Sequence, residues 1–495
     1  MSPKILSKSK YLYGLQCSKY LWVSINDKGR LSGIDEQTQF RFDEGHKVGE
    51  LAKSLFSEGI EIGGPYWETK ESDERSKKAL AERKPLFEAG FLFERLYSRA
   101  DVLLPVGKDE WDIIEVKSST SVKDVNIFDV AFQRYCYEQS GLKIRKCFLM
   151  HLNNKYVRKG EVNNKELFTK TEITDLVNEE IKNVPKRAKE MLKIIDSKIE
   201  PKIDIGEFCK KPYSCSLMEE CWKGLPEENV FDLYRGGKKA FELYDKGIRL
   251  IREIPEDFKL NDKQMIQKTC SLKKKVHVNK EAISSFIKKL EYPLYFLDFE
   301  TYSTAIPLYD GLKPYQQIPF QFSLHVVDKE GKTKHYSFIA EGSKDPRKAF
   351  VEELKKVLGT KGDIIVYNQG FEQARIKELA ELFPEYQKWA ISTIKRMVDL
   401  LIPFRNFDYY NCKQQGSASL KAVLPAVTGK TYEGMEIAEG GLASLRYLYI
   451  IHGDSKEKKA SEEEIKKVRK DLEEYCALDT EAMIWILDEL RYMIK

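Results

Sequence analysis

The amino-acid sequence predicts an α/β protein of two domains joined by a helical connector, and three observations carry that prediction. Apolar, strand-like runs near 100–105, 112–116 and 145–151 are interleaved with helical stretches such as FDEGHKVGELAKSLF. That region closes on a cysteine-rich segment, CKKPYSCSLMEECW, after which the pattern reads as helical, broken at Gly236-Gly237 and Gly247. From YFLDFETYS (295–303) a second set of strand-like runs, near 318–327 and 364–367, ends in a long amphipathic helical pattern. The resulting boundaries are 1–225, 226–290 and 291–495, within the two to four domains that 495 residues ordinarily make.

Composition excludes more than it assigns. With 83 basic and 78 acidic residues, the net charge of +5 is too even to argue for a polyanionic partner, so any such argument must come from sites. A charged fraction of 33% beside 42% hydrophobic residues describes a globular rather than a disordered chain. The opening MSPKILSKSKYLYGLQ lacks a signal-peptide apolar run, and no stretch is long enough to span a bilayer. The expectation is a cytoplasmic protein without a membrane partner. In a reducing compartment an odd nine cysteines argue against a disulfide framework and leave a metal or cluster to consider.

In the first domain, RADVLLPVGKDEWDIIEVKSS puts Asp101 at the head of one strand and Glu115 and Lys117 on a shared face of the next. Two carboxylates of this kind bind a divalent ion, while lysine, a compact point charge, stabilises a developing phosphorane or positions the attacking water. Gln133 and Tyr137 lie four apart on a helical stretch, and His46, in EGHKVGE, is a further candidate ligand, the alternative being an exposed helical histidine. This D, E-x-K, Q-x-x-x-Y series resembles the PD-(D/E)XK nucleases of the RecB-like branch, although no proline precedes Asp101. The resemblance implies a restriction-endonuclease-like fold, with Asp101, Glu115 and His46 as metal ligands and Lys117, Gln133 and Tyr137 in catalytic roles.

Cys209, Cys215 and Cys221 follow at two five-residue gaps, and Cys17 lies near the other end of the domain. Four thiolates bind zinc or an iron–sulfur cluster, and the close-spaced knuckle usual for zinc is absent. One cysteine early and three late resemble the iron–sulfur RecB-like nucleases, whose cluster joins the two ends of the domain. That implies a [4Fe–4S] cluster on Cys17, Cys209, Cys215 and Cys221, closing a long loop and stabilising the fold. Cys136, Cys147, Cys270, Cys412 and Cys476 read as small hydrophobes.

In the second domain Asp298 and Glu300 share a strand face inside an apolar run with no basic residue to neutralise them. Buried unpaired carboxylates are costly, and a hard cation such as Mg²⁺ or Mn²⁺ is their natural partner. Glu372 follows a strand in IIVYNQGFEQARIKELA, and Tyr475 and Asp479 lie four apart in EEYCALDTEAM. Four carboxylates hold two ions about 4 Å apart, one activating water and one stabilising the leaving oxygen of a phosphodiester. Asp298/Glu300, Asn368/Phe371/Glu372 and Tyr475/Asp479 resemble, in order, the motifs of the DEDD 3′–5′ exonucleases, which have a ribonuclease H-like fold. In this likeness Asp298, Glu300, Glu372 and Asp479 are metal ligands and Tyr475 orients the water. Asp399 and Ser419–Pro425 stand where intermediate motifs do, and Glu372 replaces the more common aspartate. Both patterns, the joining segment and PYQQIPFQFSLH (314–325) resemble a prokaryotic family of uncharacterised proteins that fuses the two nucleases.

The expectation is therefore a metal-dependent dual nuclease acting on DNA, in repair or defence. The second domain would trim single strands 3′–5′, and the first would cleave or resect DNA. The partner is nucleic acid, single-stranded DNA or DNA ends, with Tyr309 and Tyr315 as candidates for base stacking beside their ordinary packing role. The Lys273–Lys275 run is open to DNA contact, but its more ordinary reading is a solvated charged turn, and the segment stays unassigned. Two alternatives stay open: an RNA-processing exoribonuclease, and a nucleic-acid-binding scaffold with one degenerate site.

Overall fold

The computed structural model describes residues 3–453 and 458–495. The chain divides into two compact units, one of residues 1–224 with 304–316, the other of 225–303 with 317–495. Residues 226–290, read from sequence as a connector, thus belong to the second unit, and a short stretch beyond 303 belongs to the first. Each unit is α/β with a mixed sheet. Among the described residues no helix is long and apolar enough to cross a membrane.

The first unit opens with β1 (Leu6–Ser7), α1 (Lys8–Gln16), α2 (Ser18–Asn26) and α3 (Glu36–Lys53). Then come β2 (Ile60–Glu61), α4 (Thr69–Ala79), β3 (Leu86–Phe93), β4 (Leu96–Val106) and β5 (Glu110–Lys117). It continues with α5 (Asp124–Gln139), β6 (Lys143–Leu152) and β7 (Phe168–Glu172). The sheet runs β2-β3-β4-β5-β6-β7, with β1 added parallel to β4. Strands β3, β4 and β5 form an antiparallel meander, and β5 pairs parallel with β6 across the α5 crossover. Alternation along β5 sorts its side chains: Ile113 packs with α5 on one face, and Ile114 and Val116 pack with α3 on the other. Glu115 has the parity of Ile113 and so faces α5.

In the second unit β8 (His277–Val278) pairs with β14 (Tyr409–Tyr410) apart from the main sheet. That sheet contains β9 (Leu294–Tyr302), β10 (Ile318–Val327), β11 (Thr333–Ile339), β12 (Ile364–Val366) and β13 (Met397–Asp399), ordered β11-β10-β9-β12-β13. The first three strands are antiparallel, while β12 runs parallel to both β9 and β13. Tyr295, Leu297 and Phe299 of β9 face one core layer, whereas Leu294 and Phe296 face another that includes Met483, Ile486 and Leu490 of the helix Glu462–Ile494. By parity Asp298 and Glu300 face that helix. The helix is secured by a capping box between Ser461 and Glu464 and buries one stripe, which includes Leu472, Tyr475, Cys476, Asp479 and Met483.

Candidate active sites

Period-two geometry on β9 and the helical stripe opposite bring Asp298, Glu300 and Asp479 together. One carboxylate oxygen from each lies within 4.8 Å of the others, a grouping that no other three histidines, cysteines or acids achieve among the described residues. Burial, and then the charge of Asp479, pushes the Asp298 and Glu300 carboxyls well above the usual range. Burial also raises Asp479, against hydrogen bonds from Tyr432 and Tyr475 and the charge of Lys421. The Lys421 ammonium lies 5.7 Å from the Tyr432 ring centre and 5.4 Å from that of Tyr475. Tyr475, one turn before Asp479 on the same helical face, acts on that carboxyl, as its spacing suggests, while Tyr432 donates it a hydrogen bond that the sequence does not signal. The Cys476 thiol lies 3.5 Å from Asp298 Oδ2, so this cysteine borders the site instead of being a plain core hydrophobe.

Glu372 occupies the first turn of the helix Gly370–Leu382, 2% exposed, with Oε2 lacking any protein hydrogen-bond partner. Burial raises its pKa to about 8, and its charge acts on Asp298. It stands outside the tight trio. Asp399, at the end of β13, accepts the backbone N–H groups of Asn368 at 2.8 Å and Leu401 at 3.0 Å. Asn368 has a left-handed φ of 79°, a conformation asparagine tolerates better than most residues. Asp399 thereby fixes the turn that leads into the Glu372 helix.

The first unit builds a different kind of site. Glu115 Oε1 accepts from Lys117 at 2.5 Å and from Lys8 at 2.8 Å, and Oε2 accepts from the Gln133 amide at 2.6 Å. Asp129, one helical turn before Gln133 on α5, accepts from Lys117 at 2.9 Å and lies 3.6 Å from Lys8. Burial works against a charged Glu115, but Lys117 and Lys8 outweigh it and hold the carboxyl well below its usual range. Asp101 accepts the Val116 N–H at 2.6 Å, and burial, with Glu115 next, raises its pKa. Glu115, Lys117, Gln133 and Asp101 therefore gather as their spacing suggests.

Two expected members do not join them. Tyr137 is fully buried, donating to the Ala89 carbonyl at 2.5 Å and accepting from the Ala100 N–H at 2.7 Å, so it clamps β3 to β4. The i,i+4 spacing puts it on the Gln133 face of α5, but one turn further along that face meets backbone. His46 is exposed on α3, and the residue that α3 buries there is Glu44, which accepts the Ala305 N–H at 2.7 Å. Tyr315 lies in the same stretch as Ala305, 39% exposed and near Ser118, while Tyr309 is half-buried. Lys273–Lys275 are exposed, with Lys274 paired to Glu228 at 2.7 Å.

Residues 295–419 match a domain of unknown function, DUF2779. The match holds Asp298, Glu300, Glu372 and Asp399 and stops before Tyr475 and Asp479. Two curated relatives are an uncharacterised protein of Mycoplasma pneumoniae, 28% identical over 237 residues, and its counterpart in Mycoplasma genitalium, 28% identical over 232 residues. These alignments cover 43% and 42% of this chain and 34% and 33% of the relatives, so the chain spans about a third of the length of the curated relatives it matches.

Cys17, Cys209, Cys215 and Cys221 all line one small pocket, beside Lys19, Phe208 and Leu217. Burial raises the Cys215 thiol to about 11 and also raises Cys17 and Cys221. No three of the sulfurs converge within 4.8 Å, as a single ion would require. Protein contacts already join the ends of the unit here: Gln16 donates to the Phe208 and Tyr213 carbonyls, both at 2.8 Å, and Arg30 bridges Glu200 and Glu220.

Lys8 and Asp129 are the functional candidates that sequence reasoning missed in this unit. Asp129 carried a signal, being one turn before Gln133 on the same helical face. Lys8 carried none, because 107 residues separate it from Glu115.

Proposed function

We propose that this chain is a metal-dependent nuclease with two sites, and the convergence of Asp298, Glu300 and Asp479 carries the reading. Two buried carboxylates and a half-buried one, all with raised pKa values, are a donor set suited to a hard divalent ion. An order of three antiparallel strands followed by two parallel ones, with the acids on the first strand of the unit's main sheet and on the last helix, supports a ribonuclease H-like exonuclease. Mg²⁺ or Mn²⁺ held by Asp298, Glu300 and Asp479 would activate water for attack on the phosphodiester and stabilise the departing 3′ oxygen. The chain's own groups prepare that step. Tyr432 and Tyr475 orient Asp479, Lys421 places a positive charge beside them, and the unpartnered oxygen of Glu372 remains available as a fourth ligand.

In the first unit the assembly of Asp101, Glu115, Lys117 and Gln133 supports a RecB-like nuclease. Gln133 fixes the Glu115 carboxylate, and Lys117 stands ready to meet negative charge developing on phosphorus. The four thiols that line one pocket, no three of them close enough for a single ion, would hold a [4Fe–4S] cluster. The substrate class is nucleic acid, and we favour single-stranded DNA and DNA ends.

The test uses anaerobically purified chain with Mn²⁺ and end-labelled single-stranded DNA and RNA of one sequence. Asp298→Ala should abolish 3′ trimming, and Glu115→Ala should abolish a separate cleavage. Trimming of RNA alone would replace the DNA substrate, and wild-type protein without metal-dependent degradation of either polymer would overturn the reading.

A further inference from the structure

Resting on the nuclease reading, we propose that Lys8 is a second substrate-binding lysine of the first site, contacting a nucleic-acid phosphate together with Lys117. Glu115 and Asp129 are 1% and 4% exposed in their side chains, while Lys8 and Lys117 are 22% and 29% exposed. Part of each lysine side chain is thus open to solvent, whereas the two acids it pairs with are closed off.

The charges point the same way. Lys8 and Lys117 share Glu115 Oε1, at 2.8 and 2.5 Å, and both lie against Asp129, at 3.6 and 2.9 Å. Lys8 donates one hydrogen bond and Lys117 two, so each ammonium keeps an N–H that can be donated to a phosphate oxygen without breaking its pairing with Glu115 or Asp129. Lysine suits that task, with three donors on a rotatable head. Lys8 starts α1 directly after β1, whose Leu6 and Ser7 pair with Leu96 and Tyr97 of β4. Sheet pairing on one side and helix on the other hold its backbone, so the ammonium is aimed by the fold and not by a flexible loop. A surface lysine paired for solubility has neither the buried acids beneath it nor a second lysine on the same oxygen.

The experiment measures binding of a labelled single-stranded oligodeoxynucleotide to the full chain in EDTA, across a salt series. Each phosphate contact to a single strand contributes about 0.7 to the slope of log affinity against log salt, so Lys8→Gln should reduce the slope by about that amount and Lys8→Arg should restore it. An unchanged slope in well-folded Lys8→Gln overturns the inference. Should Lys8→Gln fail to fold, acetylation of the wild-type chain read by mass spectrometry decides: the oligonucleotide should protect Lys8 and Lys117, and an unprotected Lys8 overturns it. Wild-type protein that binds neither the oligodeoxynucleotide nor an RNA of the same sequence would instead remove the nuclease reading itself.

Discussion

Asp298, Glu300 and Asp479 crowd negative charge into a buried site, and without a cation the folded chain relieves the repulsion by keeping protons. Burial raises Glu300 and Glu372 to about 8, whereas in the unfolded chain they titrate near 4.5. Between those values the folded state binds more protons than the unfolded state, so stability is lost as pH rises through the window. Thermal melts in EDTA should therefore fall from pH 4.5 to 8, and Mn²⁺ should flatten the dependence by favouring the ionised carboxylates. Asp298→Asn should raise the melting temperature at pH 8 in EDTA and remove the response to Mn²⁺. Metal-free protein whose stability climbs over this range would contradict the site. These three acids were legible because strand and helix periods are local rules. Tyr137 shows where such rules stop, since spacing names a face but not what meets it. Tyr137→Phe strands a buried carbonyl and a buried N–H, a cost of about 1–3 kcal/mol in urea unfolding, without loss of cleavage per folded molecule.

Elements position these residues, and two of them show how. Residues leading into β12 turn at Gly362, where φ is 82° and an added Cβ would stand 2.1 Å from the Pro293 carbonyl oxygen. Both the left-handed backbone and the close approach require glycine. Because β9 and β12 start from this contact and lead to Asp298 and Glu372, Gly362→Ala should cost more than about 1 kcal/mol and weaken metal binding, read by urea titration and a Mn²⁺-dependent melt. On the other unit, α1 carries Lys8 at its start and is capped by Cys17 at its end. The helix links the lysine–carboxylate site to the thiol pocket, a connection hidden from sequence because its partners lie far along the chain. Iron content after anaerobic purification should vanish in serine variants of Cys17, Cys209, Cys215 and Cys221 and persist in Cys412→Ser. Iron-free wild-type protein would remove the cluster.

At the scale of the whole molecule, chain order and compact units disagree. Boundaries drawn from pattern changes place the end of the first domain near 225, close to the structural division at 224, yet residues 304–316 complete that unit from a distance. Nothing in their composition signals this, because the attachment is made largely by backbone groups. Arg158 exchanges backbone hydrogen bonds with Gly311 and Leu312, its guanidinium donates to the Pro307 and Leu308 carbonyls, and Glu44 accepts the Ala305 N–H. Ala305 is fully buried in the core layer that contains Val48, Val102 and Val116. A fragment of residues 1–224 alone would leave the Glu44 carboxylate without that partner and expose apolar surface that Ala305 and Ile306 cover. Loss of such partners at a buried charged group costs a few kcal/mol, a large share of a domain's marginal stability. The fragment should therefore melt well below the same fragment carrying 304–316 on a flexible Gly/Ser linker, and Arg158→Ala in the linked form should return most of the difference. Equal melting of the bare and linked fragments would mean that residues 304–316 rest on the first unit without completing it.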